Sequence, residues 1–251
     1  LGMPWAELPA ADESLTEICH IITDVARTSE GYYPRNYTMG YDKAKRLALW
    51  GAYPLHSCYT QGISRERHWG YDPTLAPGEQ MAGGVSAPYN RGHQVANADR
   101  RVSNLANDQI SYYSNMTAQR SNFNSGVWAA LEGRVRGWMC ADTLYVVTGA
   151  AFKSTKTIDN ANGPIAVPSH CWKVLLRQRG NQNRQISQFK ADELKAIGFV
   201  FTNDDAGAAT SIESAVRSVK EIEELTGFKF FRNLDPAVAD AVKSQKNLAD
   251  W

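Results

Sequence analysis

Strand-like and helix-like stretches follow one another along this 251-residue chain without regular β-α-β alternation, and that order constrains the fold most. Residues 46–55 (RLALWGAYPL) are apolar and aromatic and predict a strand. Val127, Leu131, Val135 and Trp138 recur at i, i+4, i+8 and i+11, which predicts a helix over 127–139 with one apolar face. Residues 143–150 (TLYVVTGA) predict a strand closed by Gly149, and 165–176 a strand-like stretch interrupted at Pro168. Residues 191–197 suggest a short helix leading into a strand at 199–203 (FVFTN). Thr210-Ser-Ile-Glu213 fits a capping box for a helix through Leu225, with Gly227 placed to end it. Such a mixture implies an α+β fold.

No internal repeat, low-complexity tract or Pro/Gly/Ser linker divides the chain. One domain over 31–251 is expected, preceded by a leader or extension over 1–30 whose first fifteen residues look irregular. Residues 62–89, rich in Gly, Pro and polar side chains, read as a long surface loop, and loops of that length are often functional. No run of 18 apolar residues occurs, so no membrane association is expected. The numbering opens at Leu1 with no visible signal peptide, which suggests a trimmed or mature chain. Cys19, Cys58, Cys140 and Cys171 are widely spaced without a Cys-x-x-Cys pair, which disfavours structural zinc and leaves disulfides and buried thiols both open.

The net charge of +1 argues against a wholly electrostatic, histone-like binder of nucleic acid. Charge is nevertheless uneven. Residues 86–137 hold six arginines (91, 100, 101, 120, 134 and 136) against three acids (Asp99, Asp108 and Glu132), a local +3 suited to an anionic ligand. By charge alone, a solvated arginine-bearing face is the simpler explanation.

No P-loop, GxGxxG or HExxH motif is present. The informative region is 89–136. It begins Asn90-Arg91-Gly92-His93, continues through Ser114-Asn115-Met116-Thr117-Ala118-Gln119 and Asn122-Phe123-Asn124, and ends on the segment bearing Trp128, Glu132 and Arg136. Phosphodiester hydrolysis needs a base near neutral pH to take a proton from the attacking water, and histidine suits that task. It also needs positive charge at the phosphoryl and leaving oxygens, best supplied by arginines and a hard divalent ion. Magnesium keeps most of its waters, so one or two side-chain oxygens suffice, and an asparagine amide can be one. Asn124, Trp128, Glu132 and Arg136 follow at i+4, a slowly drifting helical stripe. Asn124 to Glu132 then spans about 12 Å at ~1.5 Å per residue, so Glu132 would reach a metal through water. Taken singly, each residue has a simpler role: a structural histidine, asparagines at caps or turns, a surface Glu132–Arg136 pair worth ~0.3–0.5 kcal/mol. Asn115-Met-Thr also reads as a glycosylation sequon, which is discounted. The joint spacing outweighs these readings.

Together these residues resemble the sugar-non-specific DNA/RNA endonucleases, ββα-metal nucleases with an Asp-Arg-Gly-His motif, a Ser-Asn-Met-x-x-Gln stretch, and Phe-Asn before a Trp- and Glu-bearing helix. This chain has NRGH at 90–93, SNMTAQ at 114–119, NFN at 122–124 and VWAALE at 127–132. RHWGYDPTL (67–75), VVTGAAF (146–152) and EIEELTGFKFF (221–231) extend the likeness over roughly 31–232. The resemblance implies a mainly antiparallel central sheet flanked by helices. It implies His93 as general base and Asn124 as the direct ligand of Mg²⁺, with Mn²⁺ or another divalent ion as the alternative. Glu132 and Asn115 would hold metal waters or orient neighbouring groups. Arg67, Arg91 and Arg136 would grip phosphates of DNA or RNA, giving 5′-phosphorylated products. Neither a protein partner nor a membrane is implied, and export to the cell envelope, periplasm or medium is. Two departures stand out. Asn90 replaces the motif's aspartate, so a catalytically weakened nucleic-acid-binding pseudoenzyme is the alternative, and Ala118 replaces the usual proline.

Overall fold

The computed structural model describes residues 5–64, 68–139 and 142–251. In chain order its strands begin β1 (Thr16–Ile21), β2 (Arg35–Asp42), β3 (Leu47–Leu55), β4 (Tyr89–His93), β5 (Met116–Arg120) and β6 (Leu144–Ala151). They continue β7 (Thr157–Ile158), β8 (Ile165–Ala166), β9 (His170–Gln178), β10 (Leu194–Thr202) and β11 (Val216–Arg217). Seven of these form the central sheet in the order β1-β2-β3-β6-β9-β10-β11, antiparallel at every pairing. β4 and β5 form a separate antiparallel hairpin-like pair, as do β7 and β8.

Alternation along β9 shows how the sheet divides two cores. Cys171 and Leu175 face a cluster with Phe123, Trp128, Leu131 and Val135. Trp172, Val174 and Leu176 face the other, which takes Val219, Ile222, Phe230, Phe231 and Val242. Helices Val219–Thr226 and Pro236–Val242 therefore cover one side, while Ala129–Gly137 covers the other. Ala6 and Leu8 are buried in the second core, and β1 forms the sheet's edge.

The apolar face expected of the 127–139 helix is present: Leu131 and Val135 are buried, with Val127 and Trp138 packed beside them. The helical path starts earlier, however, at Ser121, and residues Asn124–Trp128 form a π turn in which Gly126 leaves helical geometry (φ −100°, ψ −111°). Strand β3 matches 46–55 closely. Gly149 does not close β6 but lies inside it, paired with Trp50 and Trp172, where a Cβ would come 2.3 Å from the Trp172 ring. Pro168 does break 165–176, into β8 and β9, which belong to different sheets.

Two helix expectations fail. Residues 191–193 make a single 3-10 turn, and β10 begins at Leu194, paired with β9 along its whole length; sheet pairing overrides local helix preference. The helix expected over 210–225 is two, Ile212–Ala215 and Val219–Thr226, because Val216 and Arg217 pair with Phe199 and Gly198. The capping box belongs to Ser218 and Glu221, and Gly227 ends the second helix as expected. The 62–89 stretch is not all surface: Asp72, Gln80 and Met81 are buried. Asp72 accepts hydrogen bonds from Ser114 Oγ (2.6 Å) and Thr74, and lies 2.8 Å from His20 Nε2, tying the loop to β1. Cys19, Cys58 and Cys171 are free thiols, and Cys140 lies outside the described residues.

Candidate active site

The NRGH and SNMTAQ segments meet across the β4–β5 pair, with Asn90 opposite Gln119 and His93 opposite Met116. Side-chain alternation puts Arg91 and His93 on one face and Asn90 and Gly92 on the other. Gly92 is required sterically. A Cβ there would lie 2.1 Å from Gln119 Oε1, and its absence lets Gln119 reach inward to Cys171 (Nε2–Sγ 3.5 Å). Asn203 fastens this unit to the sheet: it accepts from Arg120 N (2.8 Å) and donates to Ala118 O (2.9 Å) and Pro168 O (3.0 Å). β5 then passes directly into the helical segment at Ser121, completing a ββα unit.

A cleft of about 400 Å³ opens beside this unit, and Asn90, Arg91, His93 and Asn124 are among the residues that line it. Trp69 forms a wall. The Arg91 guanidinium lies over its ring at 4.0 Å, and the His93 ring is 5.5 Å away, centroid to centroid. Arg91 also donates to Gly83 O (3.1 Å). That loop is itself clamped by Asn160, which accepts from Ala82 N (2.8 Å) and donates to Ala82 O (3.0 Å). The π turn sets Asn124 at the cleft, and such turns often occur at functional positions. Asn90 accepts a hydrogen bond from Ser121 Oγ (3.0 Å), joining β4 to the first helical turn.

Other expected site residues are placed differently. Asn115 is buried and committed to the backbone: its Oδ1 accepts from Val95 N (2.9 Å), and its Nδ2 donates to Val95 O (3.0 Å) and Ile110 O (2.9 Å). It orients the chain leaving His93 and does not itself line the cleft. Arg136 also lies outside the cleft lining, paired with Asp99 at 2.9 Å. Asp99 is buried and accepts from Tyr53 Oη (2.7 Å). Burial works against the Arg136 charge, but Asp99, helped by Glu132 and Tyr53, offsets it and moves the pKa up. Glu132 sits one turn before Arg136, outside the cleft lining. Trp128 is fully buried, packed in the core with Phe123, Leu131 and Val135. Arg67 lies outside the described residues.

The positive segment is largely spent on partners within the chain, some buried and some at the surface. Arg100 is buried, donating to Asn36, Pro54 and Asp99; Arg120 pairs with Asp205 and Arg134 with Glu213. Arg101 donates to Ile63 O. Of the six arginines, Arg91 is the one lining the cleft. Trp69, which sequence reasoning gave no role, had a faint signal as the aromatic in RHWGYDPTL; Asn160 had none.

Among the described residues no group of three His, Cys, Asp or Glu could cage a metal. The cleft lining holds, among the described residues, the asparagines Asn90 and Asn124 and no carboxylate, a sparse set that fits an ion retaining most of its own waters, as Mg²⁺ does.

Residues 21–237 match the family model for DNA/RNA non-specific endonucleases. The chain belongs to that family. Membership makes it a nuclease, the enzyme class expected from the sequence. It is 26% identical over 216 residues to the mitochondrial nuclease EXOG of Homo sapiens, covering 80% of this chain and 56% of that protein. It is 28% identical over 220 residues to a nuclease of Serratia marcescens, covering 83% of this chain and 77% of that one. The chain thus spans little more than half the length of the human relative. A chain in the crystal structure of the EndoG/EndoGI complex shares the fold with a TM-score of 0.65 at 22% identity, over 84% of this chain and 89% of that chain. The expected ββα-metal nuclease fold, an α+β arrangement around an antiparallel sheet, is the one observed.

Proposed function

We propose that this endonuclease-family member is a Mg²⁺-dependent enzyme that cuts DNA and RNA internally without strong sequence preference, leaving 5′-phosphates, with His93 as general base. The observation carrying this reading is that His93, Arg91 and Asn124, drawn from a strand and a helix, line one cleft. His93 takes the proton of the attacking water, its ring steadied against Trp69. Arg91, braced by Trp69 and the Gly83 carbonyl, presents its charge to the scissile phosphate. Asn124 would hold Mg²⁺ directly, which when bound supplies charge stabilisation at the phosphoryl and leaving oxygens. Glu132 acts at one remove, through water. Arg136, neutralised by Asp99, serves the helix before it serves a phosphate, and Arg67 is assigned to phosphate binding from its sequence position. Contacts to backbone phosphate and sugar make binding steeply salt-dependent. Export to the envelope or medium is proposed on the family likeness alone; immunoblots of fractionated cells check it, and protein confined to the cytosol removes it.

A second reading rests on Asn90, which lines the cleft without the motif's carboxylate: a nucleic-acid-binding protein with weakened chemistry. Digestion of plasmid DNA and of RNA, with Mg²⁺ and with EDTA, tests both readings when Asn90→Asp is run alongside. Metal-dependent cutting of both substrates supports the enzyme. A rise with Asn90→Asp measures the missing charge. Salt-sensitive binding with no cutting by either version supports the weakened protein instead.

A further inference from the structure

The loop that braces Arg91 is held from outside the ββα unit, by the short connection between β7 and β8. Asn160 and Asn162 stand on that connection, between Ile158 and Ile165. Asn162 Nδ2 donates to Pro77 O (2.6 Å) and Gln80 O (3.1 Å). Asn160 takes the next stretch of the loop. Its Oδ1 accepts from Ala82 N at 2.8 Å, and its Nδ2 donates to Ala82 O at 3.0 Å and Gly84 O at 3.3 Å. One side-chain amide thus grips the residues on both sides of Gly83, whose backbone is left-handed (φ +62°). Gly83 O is the carbonyl to which Arg91 Nη1 donates at 3.1 Å. The connection is itself fixed in place. Ile165 is buried in one cluster with Met81, and Arg46 donates to Gly78 O and to Pro164 O, each at 2.9 Å.

An asparagine in a turn commonly bonds its own neighbours. Asn160 does so at its longest contact, accepting from Asn162 N at 3.4 Å, while its three shorter bonds reach a segment 76 to 78 residues away. An arginine side chain has many rotamers, so its charge acts at one point only where the guanidinium is held. The Trp69 ring lies 4.0 Å from that guanidinium, and Gly83 O sets its direction.

We propose that Asn160 is a positioning residue for Arg91: by gripping Ala82 and Gly84 it fixes the Gly83 carbonyl, and that carbonyl aims the guanidinium in the cleft. The inference rests on the nuclease reading and deepens it, since Arg91 acts there on charge that develops during reaction. Loss of its aim therefore falls on turnover rather than on substrate binding.

The test is a double-mutant cycle of Asn160→Ala and Arg91→Ala, assayed for kcat and KM on plasmid DNA, together with a crystal structure of Asn160→Ala. Asn160→Ala is expected to lower kcat by ~10-fold with KM within about twofold, short of the ~10²-fold that a 1 Å misplacement can cost. In the Arg91→Ala background the same change is expected to matter less than about twofold. A general loosening of the loop would act through Trp69 as well and would cost the same in both backgrounds. In the crystal, the Arg91 guanidinium is expected to have left Gly83 O. Unchanged kcat, an equal loss in both backgrounds, or an unmoved Arg91 overturns the proposal. Should Asn160→Ala not fold, Asn160→Ser replaces it, its hydroxyl too short to bridge Ala82 and Gly84, with the same outcomes expected. Wild-type protein that cuts nothing sinks the nuclease reading itself and leaves the position of Arg91 in the crystal to decide the role of Asn160. Active wild type with an equally active Asn160→Ala sinks only that role.

Discussion

The cleft and the polar layer beneath the helix Ala129–Gly137 use the same residue types for opposite ends. In the cleft, Arg91 and Asn124 stand half-exposed, and Arg91 is braced by a ring and one carbonyl, so its charge still faces outward. In the layer, Arg100 is buried under several carbonyl oxygens, and Asp99 joins Tyr53 to Arg136. Burial there drives the Tyr53 hydroxyl to a higher pKa, with Asp99 adding to the effect, so the phenol stays protonated as a donor. Asn115 is likewise spent on buried backbone, although its motif sits beside His93. Placement, not residue type, decides which side chains do chemistry.

The largest expected effect lies in the cleft. His93→Ala is expected to lower turnover by at least ~10²-fold, the range for a general base, with substrate affinity largely kept. Turnover within a factor of two of wild type would take His93 out of the mechanism. Next comes the layer. Asp99→Ala strips Tyr53 of its acceptor and leaves Arg136 beside a buried gap, with an expected loss of ~3 kcal/mol of stability in urea unfolding. Were stability unaltered while KM rose, Arg136 would belong to the substrate site after all.

The comparison also explains what could be read in advance. Strand β3 and the apolar face of the Ala129–Gly137 helix were legible because burial on one side imprints a period on the sequence. The cleft was legible through NRGH, SNM and NFN because Gly92 is sterically tied to Gln119 and His93 to the strand end. β1 and β2 were not seen, because β2 (RNYTMGYD) buries polar residues: Arg35 pairs with Glu7, and Asn36 binds Arg100. Such a strand carries little hydrophobic alternation. Nor does a run of arginines reveal its partners, which come from distant segments such as Asp205 and Glu213.

Asn115→Ala sharpens the boundary between the two regions. It removes three hydrogen bonds to buried backbone, so an expected cost of ~1–3 kcal/mol should appear in stability, with kcat lowered only through a looser His93. A changed Mg²⁺ requirement with unchanged stability would instead move Asn115 into the cleft chemistry.

The smallest effect is expected at Arg134, and it bears on the charge count that first suggested an anionic ligand. Arg134 sits on the exposed side of its helix, 2.7 Å from Glu213, with both side chains well exposed. Pairs of that kind are screened and add little. Arg134→Ala should therefore move the unfolding midpoint by less than about 2 °C and leave kcat and KM for plasmid DNA alone. If the arginines of residues 86–137 acted as one phosphate-binding surface, the same change would raise KM and flatten its salt dependence by about one charge. A severalfold rise in KM would restore the surface reading, and an unmoved KM would remove Arg134 from substrate binding and leave Arg91 as the arginine of this segment that lines the cleft.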